Sequence, residues 1–340
     1  MRFSSLVQLT PKEFDIHFPA PCGADQMAKL AAATNLLHPK PIANLHDAAV
    51  VAHLSEVDIL VTGWKSNPID AELRRKMPRL KLVAHLAGTV KGILDRDAAT
   101  SGLTVISGAE ANARPVAEFT LAHILLHLKR VQEWRGVYHS QRSRIATRST
   151  KLAGTIGNTG RTVGIIGASR IGRRVAEDLR RHQIAVLLHD PFVSAETAAG
   201  FGAKKVSMDV LLSQSDVVSL HQPLLPTTER SFSAAEFARM RDGALLINTA
   251  RGRIIDSAAL ETAMADGRLF AVLDVTDPEP LHDTSPLWDM PNVTITPHIA
   301  GSFGCEVCDM TELVISDIAR FARGEPLLNE VIMADWERVA

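Results

Sequence analysis

The stretch from Thr162 to Asp190 constrains the fold more than any other. Thr162-Val163-Gly164-Ile165-Ile166-Gly167 carries no polar side chain after its first residue and predicts a short buried strand. Ala168-Ser169-Arg170-Ile171-Gly172 follows, and Ile171, Val175 and Leu179 then recur at helical spacing. A second apolar run, Ala185-Val186-Leu187-Leu188, ends in His189-Asp190. Strand, glycine turn, helix, strand and terminal acid form a unit suited to a dinucleotide. The turn lets the backbone approach a pyrophosphate, and the helix start offers N–H groups and a positive dipole end. Asp190 follows Gly167 by 23 residues, near the spacing of a ribose-binding acid. Ser169 stands where a second glycine is usual, so its Cβ either crowds the pyrophosphate or its hydroxyl donates to it. A βαβ unit without ligand is the plainer alternative at this point.

A chain of 340 residues is long for one core and favours two domains. With 37 basic against 38 acidic residues, no global field attracts nucleic acid or an anionic membrane. Cys22, Cys305 and Cys308 predict no disulfide framework and a reducing compartment. Cys305 and Cys308 have C-x-x-C spacing but lack the second ligand pair of a zinc site, so two ordinary helix residues are expected and no metal. No secretory leader and no run of about 18 apolar residues is seen, and a soluble cytoplasmic protein is expected.

Along the chain, Val57–Thr62, Leu82–Ala87 and Thr104–Ser107 predict strands and Asp70–Lys76 a helix, giving a smaller parallel α/β domain. A long helix is predicted over Val116–Trp134, with Pro115 in its first turn and burial between parts or subunits. Tyr138–Gly160 reads as a polar loop or an arm toward a partner chain. Strands continue at Val217–Leu220, Ala244–Ile247, Phe270–Leu273 and Val293–Thr296, each apolar as strands covered on both faces should be. The tail, helical from Cys305 to Arg323, is expected to return to the first domain.

Ligands of open α/β sheets sit beyond the carboxyl ends of strands. There the chain places Asn248-Thr249-Ala250-Arg251-Gly252, then Asp274-Val275-Thr276-Asp277-Pro278-Glu279-Pro280, then Pro297-His298-Ile299-Ala300-Gly301-Ser302. An arginine, a carboxylate and a histidine in that order suit carbonyl reduction. Histidine titrates near neutrality, a carboxylate orients it, and arginine clamps a carboxylate with two parallel hydrogen bonds.

These motifs resemble the D-isomer-specific 2-hydroxyacid dehydrogenases. Asn112-Ala113-Arg114-Pro115-Val116-Ala117-Glu118 is similar to the start of that family's long helix, and His221-Gln222-Pro223-Leu224-Leu225-Pro226-Thr227-Thr228 to its nicotinamide-side loop. The resemblance implies an α/β protein of two Rossmann-like domains. A doubly wound NAD domain (109–297) would be inserted into a smaller flavodoxin-like substrate domain (1–108 and 298–340), with substrate in the cleft between them. It implies Arg251 on the 2-oxo acid, His298 as acid/base and Glu279 as its partner. NAD would be held by Gly167, Ser169, Arg170, Ile171, Gly172, Asp190, His221, Pro223, Thr228, Thr249, Ala250, Asp274, His298 and Gly301, with Asp274 near the carboxamide. Gly88, Thr89, Val90 and Asn112 would meet substrate. Lys91 departs from the family's usual continuation and is a candidate for a second anionic group. Asp190 favours NAD over NADP, because a carboxylate repels a 2′-phosphate. A homodimer is implied. The alternatives are a phosphoglycerate dehydrogenase, with Lys65 and Lys91 toward the phosphate, and an NAD(H)-sensing corepressor-like protein without turnover.

Overall fold

The apolar runs of the first hundred residues line up as one parallel sheet. The computed structural model describes residues 2–95, 102–145, 156–332 and 336. Strands β1 (Ser4–Gln8), β2 (Asn35–Leu36), β3 (Ile59–Thr62), β4 (Leu82–His85) and β5 (Thr104–Ser107) pair in the order β2-β1-β3-β4-β5. That order is the flavodoxin-like doubly wound one. Helix α1 (Pro11–His17) starts with a capping box between Thr10 and Glu13. α2 (Cys22–Ala33) and α3 (Ala71–Lys76) follow, the latter capped by Asp70, whose side chain accepts from Leu73 N–H at 2.7 Å.

The predicted long helix is two helices. α4 (Ala109–Leu128) begins before Pro115, its first turn closed by Asn112 N–H donating to Gly108 O at 3.0 Å. It ends before Arg130, which takes the left-handed conformation at φ 53°, and α5 (Val131–Gln141) starts anew. The start of the expected polar arm is thus helical as far as Gln141. Residues 146–155 of that arm lie outside the described residues. Ala117, Ile124 and Leu128 of α4 pack in one core with Val163, Ile165 and Val272.

The second sheet is also parallel throughout. It holds β6 (Thr162–Ile166), β7 (Ala185–His189), β8 (Lys204–Lys205), β9 (Val217–Leu220), β10 (Leu245–Asn248), β11 (Phe270–Leu273) and β12 (Val293–Ile295). Their order is β12-β11-β10-β9-β6-β7-β8, so the winding reverses between β6 and β9. Alternate residues feed two cores: Leu245 and Ile247 join one, Leu246 the other. This is why these strands read as continuous apolar runs. Helix α6 (Arg170–Leu179) follows β6 and buries Val175, Ala176 and Leu179. α7 (Glu306–Arg323) buries Met310, Val314, Ile315 and Ile318, and Val314, Ile315 and Ile318 share a core with the first sheet.

The chain divides into two units, Met1–Ala113 with Ser302–Ala340, and Arg114–Gly301. The crossings fall at 113/114 and 301/302 rather than at 108/109 and 297/298. His298 therefore belongs to the second unit.

The expectation for the cysteines is overturned. Cys22 and Cys308 are joined by a disulfide, with Cα atoms 6.4 Å apart, while Cys305 is a free, exposed thiol. The pairing spans 286 positions and follows from the packing of α2 on α7, which spacing alone does not reveal.

Candidate active site

The glycine turn after β6 is shaped by backbone crowding. Gly167 has φ 96°, and a Cβ there would lie 2.6 Å from Gln222 N. A Cβ at Gly172 would run into Gly167 O. Both positions require glycine. Ser169 does not: with φ −64° and ψ 176° it is the N-cap of α6, and its Oγ accepts from Gly172 N–H at 3.3 Å. The hydroxyl proton remains available to an anion at the helix start. Arg170 is exposed and Ile171 half-buried behind it.

Asp190 lies past β7, level with the turn. Its Oδ2 accepts from Ala168 N–H at 2.7 Å and its Oδ1 from Phe192 N–H at 2.8 Å. A carboxylate offers about four acceptor positions, so each oxygen retains capacity for a ribose hydroxyl.

Past β9, His221 is turned into the core. It is 4% exposed, its Nε2 lies 2.8 Å from Ser219 Oγ, and burial pushes its pKa down to about 3. Its backbone, with that of Gln222, lies against Gly167. Pro223 and Thr228 lie on one loop, where Thr228 Oγ1 donates to Pro223 O at 2.6 Å.

Past β10, the buried Asn248 sets the arginine loop. Its Nδ2 donates to Arg251 O at 2.9 Å and its Oδ1 accepts from Ala250 N–H at 3.0 Å. Thr249 is buried, with Oγ1 3.5 Å from Thr120 Oγ1. Gly252 is needed because a Cβ would meet Thr276 O. Arg251 Nη1 donates to Ala250 O at 2.6 Å; burial lowers the guanidinium pKa, opposed by the charge of Glu279.

Past β11 and β12 the segments meet. His298 Nδ1 is 2.7 Å from Glu279 Oε1, with the two side chains 52% and 45% exposed. His298 has φ 57°, a left-handed conformation that costs a non-glycine residue about 1–2 kcal/mol. Asp274, 2% exposed, accepts from Thr296 Oγ1–H at 2.6 Å and Ile299 N–H at 2.8 Å on Oδ1, and from Ala300 N–H at 2.9 Å on Oδ2. Its backbone carbonyl accepts from His298 N–H at 3.0 Å. Gly301 ends the loop, half-buried. Asn248 and Thr296 were not singled out from sequence; the available signal was a polar residue closing an apolar strand.

In the first unit, Gly88 and Thr89 are half-buried on the loop after β4, while the Val90 side chain lies in the core. Asn112 Oδ1 accepts from Ser302 N–H at 2.7 Å. Lys91 N–H donates to Thr89 Oγ1 at 3.4 Å, and Lys65 N–H to the Glu13 carboxylate. His17, fully buried with neither ring nitrogen hydrogen-bonded, stacks 4.5 Å under the exposed Trp64. Sequence spacing gives no sign of that pair.

Among the described residues no group of His, Cys, Asp and Glu is arranged to hold a metal, and no helix is long and apolar enough to cross a membrane. The model of the D-isomer specific 2-hydroxyacid dehydrogenase NAD-binding domain matches residues 121–300. A D-3-phosphoglycerate dehydrogenase of Archaeoglobus fulgidus is 34% identical over 79% of this chain and 50% of its own. A glyoxylate reductase of Korarchaeum cryptofilum is 30% identical over 81% and 83%. This chain therefore spans about half the length of the phosphoglycerate dehydrogenase. The structure of apo D-mandelate dehydrogenase from Rhodotorula graminis superposes with a TM-score of 0.78 at 25% identity, covering 98% of both chains. The matched segment is a NAD-binding domain, NAD is its dinucleotide, and the chain belongs to the D-isomer-specific 2-hydroxyacid dehydrogenase family, a family of oxidoreductases.

Proposed function

We propose that the chain reduces a small 2-oxo acid to its D-2-hydroxy acid, with Arg251, Glu279 and His298 as the reacting set. The observation that carries this reading is the 2.7 Å contact between Glu279 and His298 Nδ1, on segments that follow adjacent strands of one sheet. The residues present fit the dinucleotide: a turn closed to any side chain at Gly167 and Gly172, a capped helix start, and Asp190 with acceptor capacity to spare. When bound, NADH supplies the hydride to the carbonyl carbon.

The chain's own groups do the rest. Arg251 takes the carboxylate through paired N–H donors and draws charge toward the neighbouring oxygen. His298 gives the proton to that oxygen from Nε2, since Nδ1 faces Glu279. Glu279 fixes the orientation of the ring. Gly88 and Thr89 have backbone N–H groups proposed to meet a substrate carboxylate, while the Val90 side chain is committed to the core. A homodimer belongs to the proposal, supported by exposed Leu126, Val131 and Tyr138 on α4 and α5.

The test follows NADH oxidation with glyoxylate, hydroxypyruvate, pyruvate, 2-oxoglutarate and phosphohydroxypyruvate. Turnover of an unphosphorylated acid is expected. A preference for phosphohydroxypyruvate would support the phosphoglycerate dehydrogenase reading, which the 34% identity to such an enzyme favours. NADH binding without turnover on any acid would sink the enzyme reading in favour of a sensor. A higher kcat/KM with NADPH than with NADH would remove Asp190 from its role.

A further inference from the structure

The Asp274 carboxylate is buried, yet no cation among the described residues is bonded to it. Its partners are three neutral donors, all between residues 296 and 300: Thr296 Oγ1–H, Ile299 N–H and Ala300 N–H. A fourth bond joins the same two segments, from His298 N–H to Asp274 O. One residue thus brackets His298 on both sides and at its own amide.

The bracketed residue is the one whose backbone is unfavourable. His298 has φ 57°, which a non-glycine residue keeps only where its surroundings over-determine it. The Asp274 side chain does this well, because both of its oxygens accept from the segment that carries His298. The ring of His298 is meanwhile met by Glu279, five residues along from Asp274. Residues 274–279 therefore hold the backbone of His298 at one end and its imidazole at the other.

We infer that Asp274 is a positioning residue, which keeps His298 in the left-handed conformation that presents its imidazole to Glu279. The inference rests on the proposed acid/base role of His298. It differs from the carboxamide contact that the family resemblance implies for this residue.

Asp274→Asn separates these roles. An asparagine places N–H donors against the donors of the loop, so the clamp opens while size is kept. Expected is a loss of tenfold or more in kcat, with the Kd for NADH unchanged within twofold. The ratio of Kd values for NADH and for reduced 3-acetylpyridine adenine dinucleotide should also be unchanged. In a thermal-unfolding cycle, the loss of Tm caused by Asp274→Asn should shrink by half or more in the His298→Gly background, where φ 57° carries no penalty. A tenfold weaker Kd for NADH with the analogue unaffected would make Asp274 a carboxamide ligand and overturn the inference, as would additive Tm losses. If Asp274→Asn fails to fold, Thr296→Val removes one donor alone; a severalfold lower kcat is expected, and an unchanged kcat overturns the clamp. Wild-type protein inactive on every 2-oxo acid would instead defeat the proposed function, and the Tm cycle would still report on the clamp.

Discussion

Glu279 Oε1 lies 2.7 Å from His298 Nδ1, and this pair is half exposed rather than sealed in the protein. A glutamine at 279 keeps an acceptor oxygen for Nδ1 and removes the carboxylate's charge. Glu279→Gln should lower kcat about tenfold to a hundredfold, at or below the lower end of general acid–base contributions, because Glu279 acts through His298. Steady-state kinetics at saturating NADH check this, and an unchanged kcat would remove Glu279 from the mechanism.

Arg251 is partly buried, and its guanidinium already donates once to the backbone of Ala250. The clamp acts on bound substrate and on the transition state alike. Arg251→Ala should therefore raise KM and lower kcat, with about 1.5–3 kcal/mol lost from kcat/KM for hydrogen bonds between charged groups. Arg251→Lys should recover only part, since an ammonium lacks the planar fork. A KM that does not move would show that Arg251 does not touch substrate.

Ser169 was ambiguous in the sequence, where its Cβ threatened to crowd the pyrophosphate. Its backbone is ordinary and its Oγ caps α6. Ser169→Ala should cost about 1 kcal/mol of stability and Ser169→Gly only a few tenths. Neither should bind NADH more tightly than the wild type in a fluorescence titration. Tenfold tighter binding by Ser169→Gly would revive crowding.

Three buried histidines and the half-buried His127 set an acid limit on stability. Burial pushes the pKa of His17 and His127 down to about 4 and that of His221 to about 3; His85 falls to about 3 by burial and then by the charge of His17. Each is lower folded than the unfolded value of 6.5, so the unfolded chain binds more protons below that pH. Their contribution is fully present above about pH 6.5 and is lost progressively as pH falls toward the folded values. Urea midpoints should decline between about pH 6.5 and 4.5, above the main range of carboxylate titration. A flat midpoint across that interval would contradict the burial of these rings.

Much of the fold was legible because β6, β9 and β11 are covered on both faces, so composition alone marks them. The strand β1 was not, because Ser5 and Gln8 are polar yet satisfied inside, Ser5 by Thr34 at 2.6 Å and Gln8 by Ala43 O at 3.0 Å. Pro115 misplaced the start of α4, since the turn before it closes on Gly108. The site residues stood out as polar groups directly after apolar strands. What each side chain bonds to was hidden, because the partners are distant in sequence. Asp274 engages residues 22 to 26 positions away, and His221 turns inward on a hydrogen bond to Ser219. Local pattern names the strand ends; only the packed loops decide which atoms remain for a ligand.

The Cys22–Cys308 bond has a consequence for a cleaved molecule. Its two cysteines lie on opposite sides of the whole of residues 114–301, in the two pieces that make up the first unit. A protease that nicks the inserted unit once therefore cannot release either fragment. The nicked chain should migrate as one species on a denaturing gel and part into two only when a thiol reductant is added.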